Sequence, residues 1–202
     1  RQMCIRDSYR TLERMIFMLI ANPKQIGHDE LIALAKNADG QVKRIFLHWT
    51  AGNYDQCFDD YHINIDGDGH VYQTCNGLGE KKAHTWQRNS GSVGITLCCA
   101  VDASIGKNVN FGSQPPTAKQ IVAMAWVVAL ICQHCHLPIE YATVTTHGEI
   151  AIADGYGPSS GDPEMRWDLL WVPNEKDALN PRQGGVFIRD LASMFAKKMD
   201  LQ

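Results

Sequence analysis

Two histidines end runs of strand-forming residues: His48 in Leu47-His48-Trp49-Thr50-Ala51-Gly52, and His147 in Thr145-Thr146-His147-Gly148-Glu149. Asp168, in Arg166-Trp167-Asp168, follows a long glycine-containing stretch. Two imidazoles and one carboxylate leave one position open on a tetrahedral zinc, the donor set of a catalytic site rather than a structural one. Such an ion lowers the pKa of bound water to about 7 and polarises a carbonyl, the chemistry that amide hydrolysis needs. Spacing alone does not establish the site. The three residues are far apart, and for each one alone an ordinary hydrogen-bonded side chain is the competing reading.

Elements that end at a common edge must bring them together. Val42 to Trp49 alternates and is rich in strand formers, so it reads as a strand ending near His48. Tyr61–Ile65 and His70–Gln73 flank Asp66-Gly67-Asp68-Gly69 and read as a hairpin. The same stretch mimics the start of a calcium loop, but the twelfth loop position is Cys75 where a bidentate glutamate is required, so the turn reading stands. Val93 to Ala100 reads as a central strand. Thr117 and Gln120 form a capping box that opens a helix to about His134. Ala142 to His147 is another strand, and 148–165 reads as a long loop. Asp29–Asn37 and Arg10–Ala21 carry helical spacing, and Phe187, Leu191, Met194, Phe195 and Met199 outline a final amphipathic helix.

The expected architecture is one α/β domain, a central mixed β-sheet flanked by helices. Its parts are a tail over 1–8, a helical segment over 9–41, a catalytic core over 42–180, and a short linker with the amphipathic helix over 181–202. The final helix is expected to pack on the domain.

The chain has 202 residues, a net charge of −3, 45% hydrophobic and 20% charged residues, which is ordinary globular composition. The near-neutral balance argues against a nucleic-acid binder. The longest apolar run, Ile121 to Cys132, is twelve residues, and a bilayer span needs about 20. Seven cysteines, with Cys98 and Cys99 adjacent, do not form a disulfide framework and read as reduced thiols. Basic residues precede the apolar run Met15–Ala21, but the run is short, Glu13 interrupts its approach and no A-x-A site follows. The expectation is synthesis in the cytoplasm without a signal peptide.

Taken in order, Leu47-His48-Trp49-Thr50-Ala51-Gly52, Tyr61-His62, Ala83-His84, Asn89 with Ser92-Val93-Gly94-Ile95, Thr145-Thr146-His147-Gly148-Glu149 and Arg166-Trp167-Asp168 resemble the zinc-dependent N-acetylmuramoyl-L-alanine amidases. Bacteriophage amidase lysozymes and peptidoglycan recognition proteins share that fold. The resemblance spans roughly 42–173. No one motif is specific, and the ordered set of six is. It implies that His48, His147 and Asp168 bind Zn2+, and that Tyr61 orients or assists the water bound to it. It implies that Arg166, where the family usually has lysine, stabilises the oxyanion, and that His84 and Asn89 line the substrate groove. Arg and Lys differ, a planar fork against a point charge. Relatives that recycle wall fragments commonly place a glutamate general base directly after the Gly-Ile of the central strand. Thr96 stands there, with no useful pKa for that task. The chain therefore looks more like the tyrosine-type phage enzymes. Glu149, two residues beyond a ligand, reads equally as a partner of the metal site or as a helix-terminal glutamate.

Other signals are discounted. Cys132-Gln133-His134-Cys135-His136 matches a c-type haem attachment motif, but it ends an apolar helix where Cys132 continues the core stripe. Cys57 and Cys75 flank the hairpin, and whether they approach each other is left open by the sequence. Trp49, Trp86, Trp167 and Trp171 gather around the site in sequence, and for most of them core packing is the favoured reading over lining a groove for sugar or peptide.

The resulting expectation is a monomeric zinc amidase that cleaves the bond between N-acetylmuramic acid and L-alanine in peptidoglycan, as a phage or prophage endolysin acting on the bacterial cell wall. A non-catalytic peptidoglycan-binding recognition module is the alternative. A polymerase-inhibiting interaction protein is a third class that nothing in the sequence tests.

Overall fold

The computed structural model describes residues 19–199. The expected tail over 1–8, and all but the end of the helix expected over 10–21, lie outside the described residues. The last residues of that stretch are not helical, and Leu19 makes an isolated antiparallel bridge with Phe58.

In chain order the elements are β1 (Lys24–Gln25), α1 (His28–Asn37), β2 (Arg44–Trp49), β3 (Ile63–Ile65), β4 (Val71–Gln73), β5 (Ser92–Leu97), β6 (Ser104–Ile105) and β7 (Val109–Asn110). They continue with α2 (Ala118–His134), β8 (Val144–Thr146), α3 (His147–Asp154), β9 (Trp171–Val172), β10 (Arg182–Gln183) and α4 (Gly184–Met199). The main sheet has the order β1-β4-β3-β5-β2-β8. β1, β4 and β3 pair antiparallel, the β3–β4 hairpin closing on the Asp66–Gly69 turn. β3, β5, β2 and β8 run parallel. This is a mixed α/β fold, as the pattern of alternation and helical spacing implies.

The sheet has two chemically different faces, set by the two-residue period of its strands. Ile45, Leu47 and Trp49 of β2 share one face with Val93, Ile95 and Leu97 of β5, and all belong to the main hydrophobic core. α2 covers that face. Met124, Val127, Val128, Leu130 and Ile131 are completely or almost completely buried, each such side chain contributing about 1.5–3 kcal/mol. The expected capping box is present: Thr117 Oγ1 accepts from Gln120 N at 3.1 Å, and Thr117 N donates to Gln120 Oε1 at 3.0 Å. The Gln120 amide also donates to Ile65 O and Cys98 O, pinning the helix start to two strand ends.

On the other face Phe46 and His48 of β2 alternate with the core residues, beside Ser92, Gly94 and Thr96 of β5. These positions are buried too. A buried but polar sheet face, opposite an apolar one, is where chemistry can be built without weakening the core.

Two expectations are corrected. The stretch 148–165 is not a loop throughout, because α3 begins at His147 itself. Thr146 is its N-cap: Glu149 N donates to Thr146 Oγ1 at 3.1 Å, and Thr146 N donates to Glu149 Oε2 at 2.9 Å. Gly155 ends it at φ +83°, a left-handed conformation that suits glycine. The linker expected before the last helix is also partly ordered, since β10 pairs with β9 and α4 starts at Gly184. α4 lies on the domain, with Ile188 and Ala192 buried and Phe187, Leu191, Phe195 and Met199 packed against the core.

The cysteines are settled by packing. Cys132 and Cys135 are buried, and Cys135 Sγ donates to Ala35 O of α1 at 3.3 Å. Cys57 approaches Cys98, their sulfurs 3.9 Å apart.

Candidate metal centre and active site

The parallel register of β2 and β8 brings the two histidines together. Leu47 pairs with Thr146, so the next residue on each chain, His48 and His147, emerges at the same sheet edge. Their rings are 4.8 Å apart, centroid to centroid, and edge-on. Asp168 arrives from the far side of the 155–167 loop. Gly148 N donates to Asp168 O at 3.0 Å, and Arg166 N to Tyr156 O at 3.1 Å, which folds the loop back over the start of α3. A Cβ on Gly148 would meet Trp167 backbone at 3.0 Å and Leu170 Cβ at 2.7 Å, so only glycine admits this approach. Leu169, directly after Asp168, is held at φ +54°, an uncommon conformation for a branched residue.

Asp168 Oδ2 lies 3.0 Å from His48 Nδ1 and 3.2 Å from His147 Nδ1. One donor atom from each residue falls within 4.8 Å of the others. All three residues are buried, His48 completely. Burial drives the His48 pKa down to about 4, against the opposing hydrogen bond to Asp168. Its imidazole is therefore neutral near pH 7 and has a lone pair to offer. Burial alone would raise the Asp168 pKa, but the His147 and His48 rings outweigh it and hold the carboxyl well below the usual range. Two imidazole nitrogens and an anionic oxygen converging in a dry setting suit a borderline divalent cation such as zinc, and leave room for a further ligand.

Tyr61 precedes β3 and places its ring 5.1 Å from that of His48. Burial, and then the Asp168 carboxylate, raise its phenol pKa, so the hydroxyl keeps its proton. Arg166 is exposed and its guanidinium donates to Glu164 O at 2.7 Å and to Met165 O at 3.3 Å. Among the described residues its hydrogen bonds lie within its own loop, to Glu164 and Met165. His84 is 6% exposed and sits beneath the site, its ring 5.3 Å from His48, with Thr85 and Ser92 as partners. Asn89 Oδ1 accepts from His84 N and Thr85 N, at 3.1 and 2.8 Å, so it shapes the 84–89 turn. Trp86, on that turn, is 71% exposed, unlike Trp49 and Trp167, which pack edge-to-face at 4.6 Å.

Several residues here carry no motif of their own. The hydroxyl of Thr96, which faces the site from β5 beside His48 and meets that of Tyr61, is buried. So is the hydroxyl of Tyr156, whose ring is 5.9 Å from that of His147. Arg189 of α4 forms a two-pronged pair with Glu149, at 2.9 Å on each prong. The Thr146–Glu149 spacing was the readable signal for α3. Nothing local in the sequence marks Thr85, Tyr156 or Arg189.

The family model described as N-acetylmuramoyl-L-alanine amidase matches residues 38–164, more than half of the chain. His48 and His147 lie inside that match, and Arg166 and Asp168 lie just beyond it. No curated protein matches. Among solved structures, the chain is similar to the N-acetylmuramoyl-L-alanine amidase LysC from Clostridium intestinale URNW, at 16% identity and a TM-score of 0.40, over 53% of this chain and 70% of that one. It is similar to the Ph2119 endolysin from Thermus scotoductus MAT2119 bacteriophage Ph2119, at 20% identity and a TM-score of 0.37, over 52% and 71%. It is also similar to PGRP-SA from Apis mellifera, at 17% identity and a TM-score of 0.40, over 63% and 78%.

Proposed function

The chain belongs to the N-acetylmuramoyl-L-alanine amidase family, and on that premise we propose that it is a zinc-dependent hydrolase of the amide bond between N-acetylmuramic acid and L-alanine in peptidoglycan. The observation that carries this reading is the convergence of His48 Nδ1, His147 Nδ1 and Asp168 Oδ2 at one buried sheet edge.

These three atoms would hold the metal. Zinc, when bound, supplies a Lewis acid that acidifies water and polarises a carbonyl. The protein's own residues do the rest. His48 stays neutral and Asp168 ionised, which gives the ligand set one negative charge. Tyr61, kept protonated, donates its hydroxyl proton and orients the reacting groups, and does not act as a base. Arg166 brings a permanent positive charge to the loop beside Asp168, and opposes the negative charge developing on the carbonyl oxygen once it turns from Glu164. Trp86 presents an open aromatic face for substrate. Threonine at position 96 supports the tyrosine-type mechanism, and with it a phage or prophage role in wall lysis. No helix among the described residues is long and apolar enough to cross a membrane.

The test uses purified peptidoglycan and counts newly exposed L-alanine amino termini. The zinc-loaded protein releases them, chelation stops release, and zinc restores it. Undiminished release from metal-free protein overturns the metal assignment. Retention on the insoluble wall without any new amino termini identifies a recognition module instead.

A further inference from the structure

Behind His48 runs an unbroken chain of buried side chains. His48 Nε2 is 3.4 Å from Thr85 Oγ1, Thr85 Oγ1 is 3.0 Å from His84 Nδ1, and His84 Nε2 is 3.3 Å from Ser92 Oγ. All four residues are at most 6% exposed. The chain is built in, not incidental. Asn89 fixes the backbone of His84 and Thr85 by accepting both of their amide protons. Gly94 makes the seat for the His84 ring, since a Cβ there would stand 2.7 Å from it.

We propose that this chain is a reversible tautomer relay in which Thr85 positions His48 for metal binding and His84 reports it. The proposal rests on the zinc reading above. Each neutral imidazole carries one proton and one lone pair, and each hydroxyl both donates and accepts. Without a cation, His48 Nδ1–H donates to Asp168. His48 Nε2 then accepts from the Thr85 hydroxyl, Thr85 Oγ1 accepts from His84 Nδ1–H, and His84 Nε2 accepts from the Ser92 hydroxyl. With a cation at His48 Nδ1, that proton must leave and every bond in the chain reverses. Thr85 passes its proton to His48 Nε2 and takes the one from His84 Nδ1. His84 Nε2 takes the Ser92 proton, and Ser92 regains one from water. One proton departs at the metal site and one enters at Ser92, so all four groups end neutral. In both directions the His48–Thr85, Thr85–His84 and His84–Ser92 hydrogen bonds are all kept, a condition that a valine at position 85 cannot meet. A metal-ligating histidine whose second nitrogen is held in this way binds more tightly, by 10–100-fold in comparable settings.

The experiment reads imidazole nitrogen resonances of 15N-histidine-labelled full-length protein, with and without zinc, and zinc affinity by competition with a chromophoric chelator. In the unsubstituted protein His84 changes from the Nδ1–H to the Nε2–H tautomer as zinc is added. Thr85→Ser keeps this change and binds zinc within about threefold of the unsubstituted protein. Thr85→Val loses the change and binds zinc roughly tenfold or more weakly, with its unfolding midpoint reported alongside to show that it is folded. A His84 tautomer that is the same with and without bound zinc, or zinc affinity unchanged in Thr85→Val, overturns the relay. Should the unsubstituted protein bind no zinc, the metal reading fails by itself. Independently of zinc, an Nε2–H tautomer on His84 in the metal-free protein overturns the relay.

Discussion

Arg189 and Glu149 face each other through two parallel hydrogen bonds of 2.9 Å, and this pair fastens the C-terminal helix to the helix that begins at His147. Glu149 has two duties there. Its Oε2 also accepts from Thr146 N, so the carboxylate that holds Arg189 is the one that caps α3. Arg189 in turn donates to Val144 O, in the strand that delivers His147. The glutamate is thus the helix-terminal residue of its two sequence readings, and it clamps Arg189 as well.

Both side chains of that pair are largely buried, at 12% and 15% exposure. Removing one partner leaves the other charge without compensation, which typically costs about 3–5 kcal/mol. Arg189→Met is expected to destabilise the protein by about 3 kcal/mol in urea unfolding. The double variant Arg189→Met with Glu149→Gln is expected to lose less than the sum of the two single changes, because the shared interaction is counted once. Additive losses would show that the pair is not coupled.

Gly148 links the two halves of the donor set. Gly148→Ala forces its methyl group into the Trp167 carbonyl and Leu170, and those atoms flank Asp168. The expected result is zinc affinity lower by roughly tenfold or more, comparable to the loss of a supporting contact, with the far-UV spectrum retained. Calorimetric titration with zinc checks it, and unchanged affinity would mean that Asp168 does not need this approach.

His48→Ala and His147→Ala are each expected to abolish release of L-alanine termini and to lower the bound zinc measured by metal analysis. His62→Gln provides the contrast. His62 Nε2 lies 2.7 Å from Glu80 O and its Nδ1 accepts from Gly94 N, so both nitrogens serve the scaffold. That variant is expected to lose stability while its folded fraction still binds zinc.

Acid should weaken the metal-free fold. Burial lowers the pKa of His48 to about 4 and of His84 to about 2, and lowers that of His62 as well. Below 6.5, the unperturbed histidine value, the unfolded chain takes up protons that the folded chain refuses, so stability is fully present above about pH 6.5 and falls as pH drops towards the folded values. At about pH 5, keeping His48 and His84 neutral costs about 2 kcal/mol for each relative to neutral pH. Urea midpoints at pH 7.5 and 5 measure this, and a midpoint that rises on acidification would contradict the burial of these rings.

Much of the fold was legible because its signals are local. Alternation marked the strands of 42–49 and 93–100, and the Thr117–Gln120 pair marked the start of α2, since a two-residue period and a capping box are written in consecutive residues. α3 was missed although Thr146, Glu149 and Gly155 spell out its cap and its stop. The glycine and proline content of 148–165 masked an eight-residue helix.

The sequence by itself determined the family, through six short motifs in order, and named His48, His147 and Asp168 as a set. It did so because residue types and their order are written in the chain itself, whatever the fold. Tertiary structure alone decided which side chains stand behind them. Thr85 meets His48, Arg189 meets Glu149, and Gly148 admits Asp168 through contacts between distant segments. A parallel sheet register and a folded-back loop create those contacts, and no local pattern encodes them. Arg166 and His84 show the same division: their types were readable, but the direction of a guanidinium and the depth of a ring depend on what surrounds them.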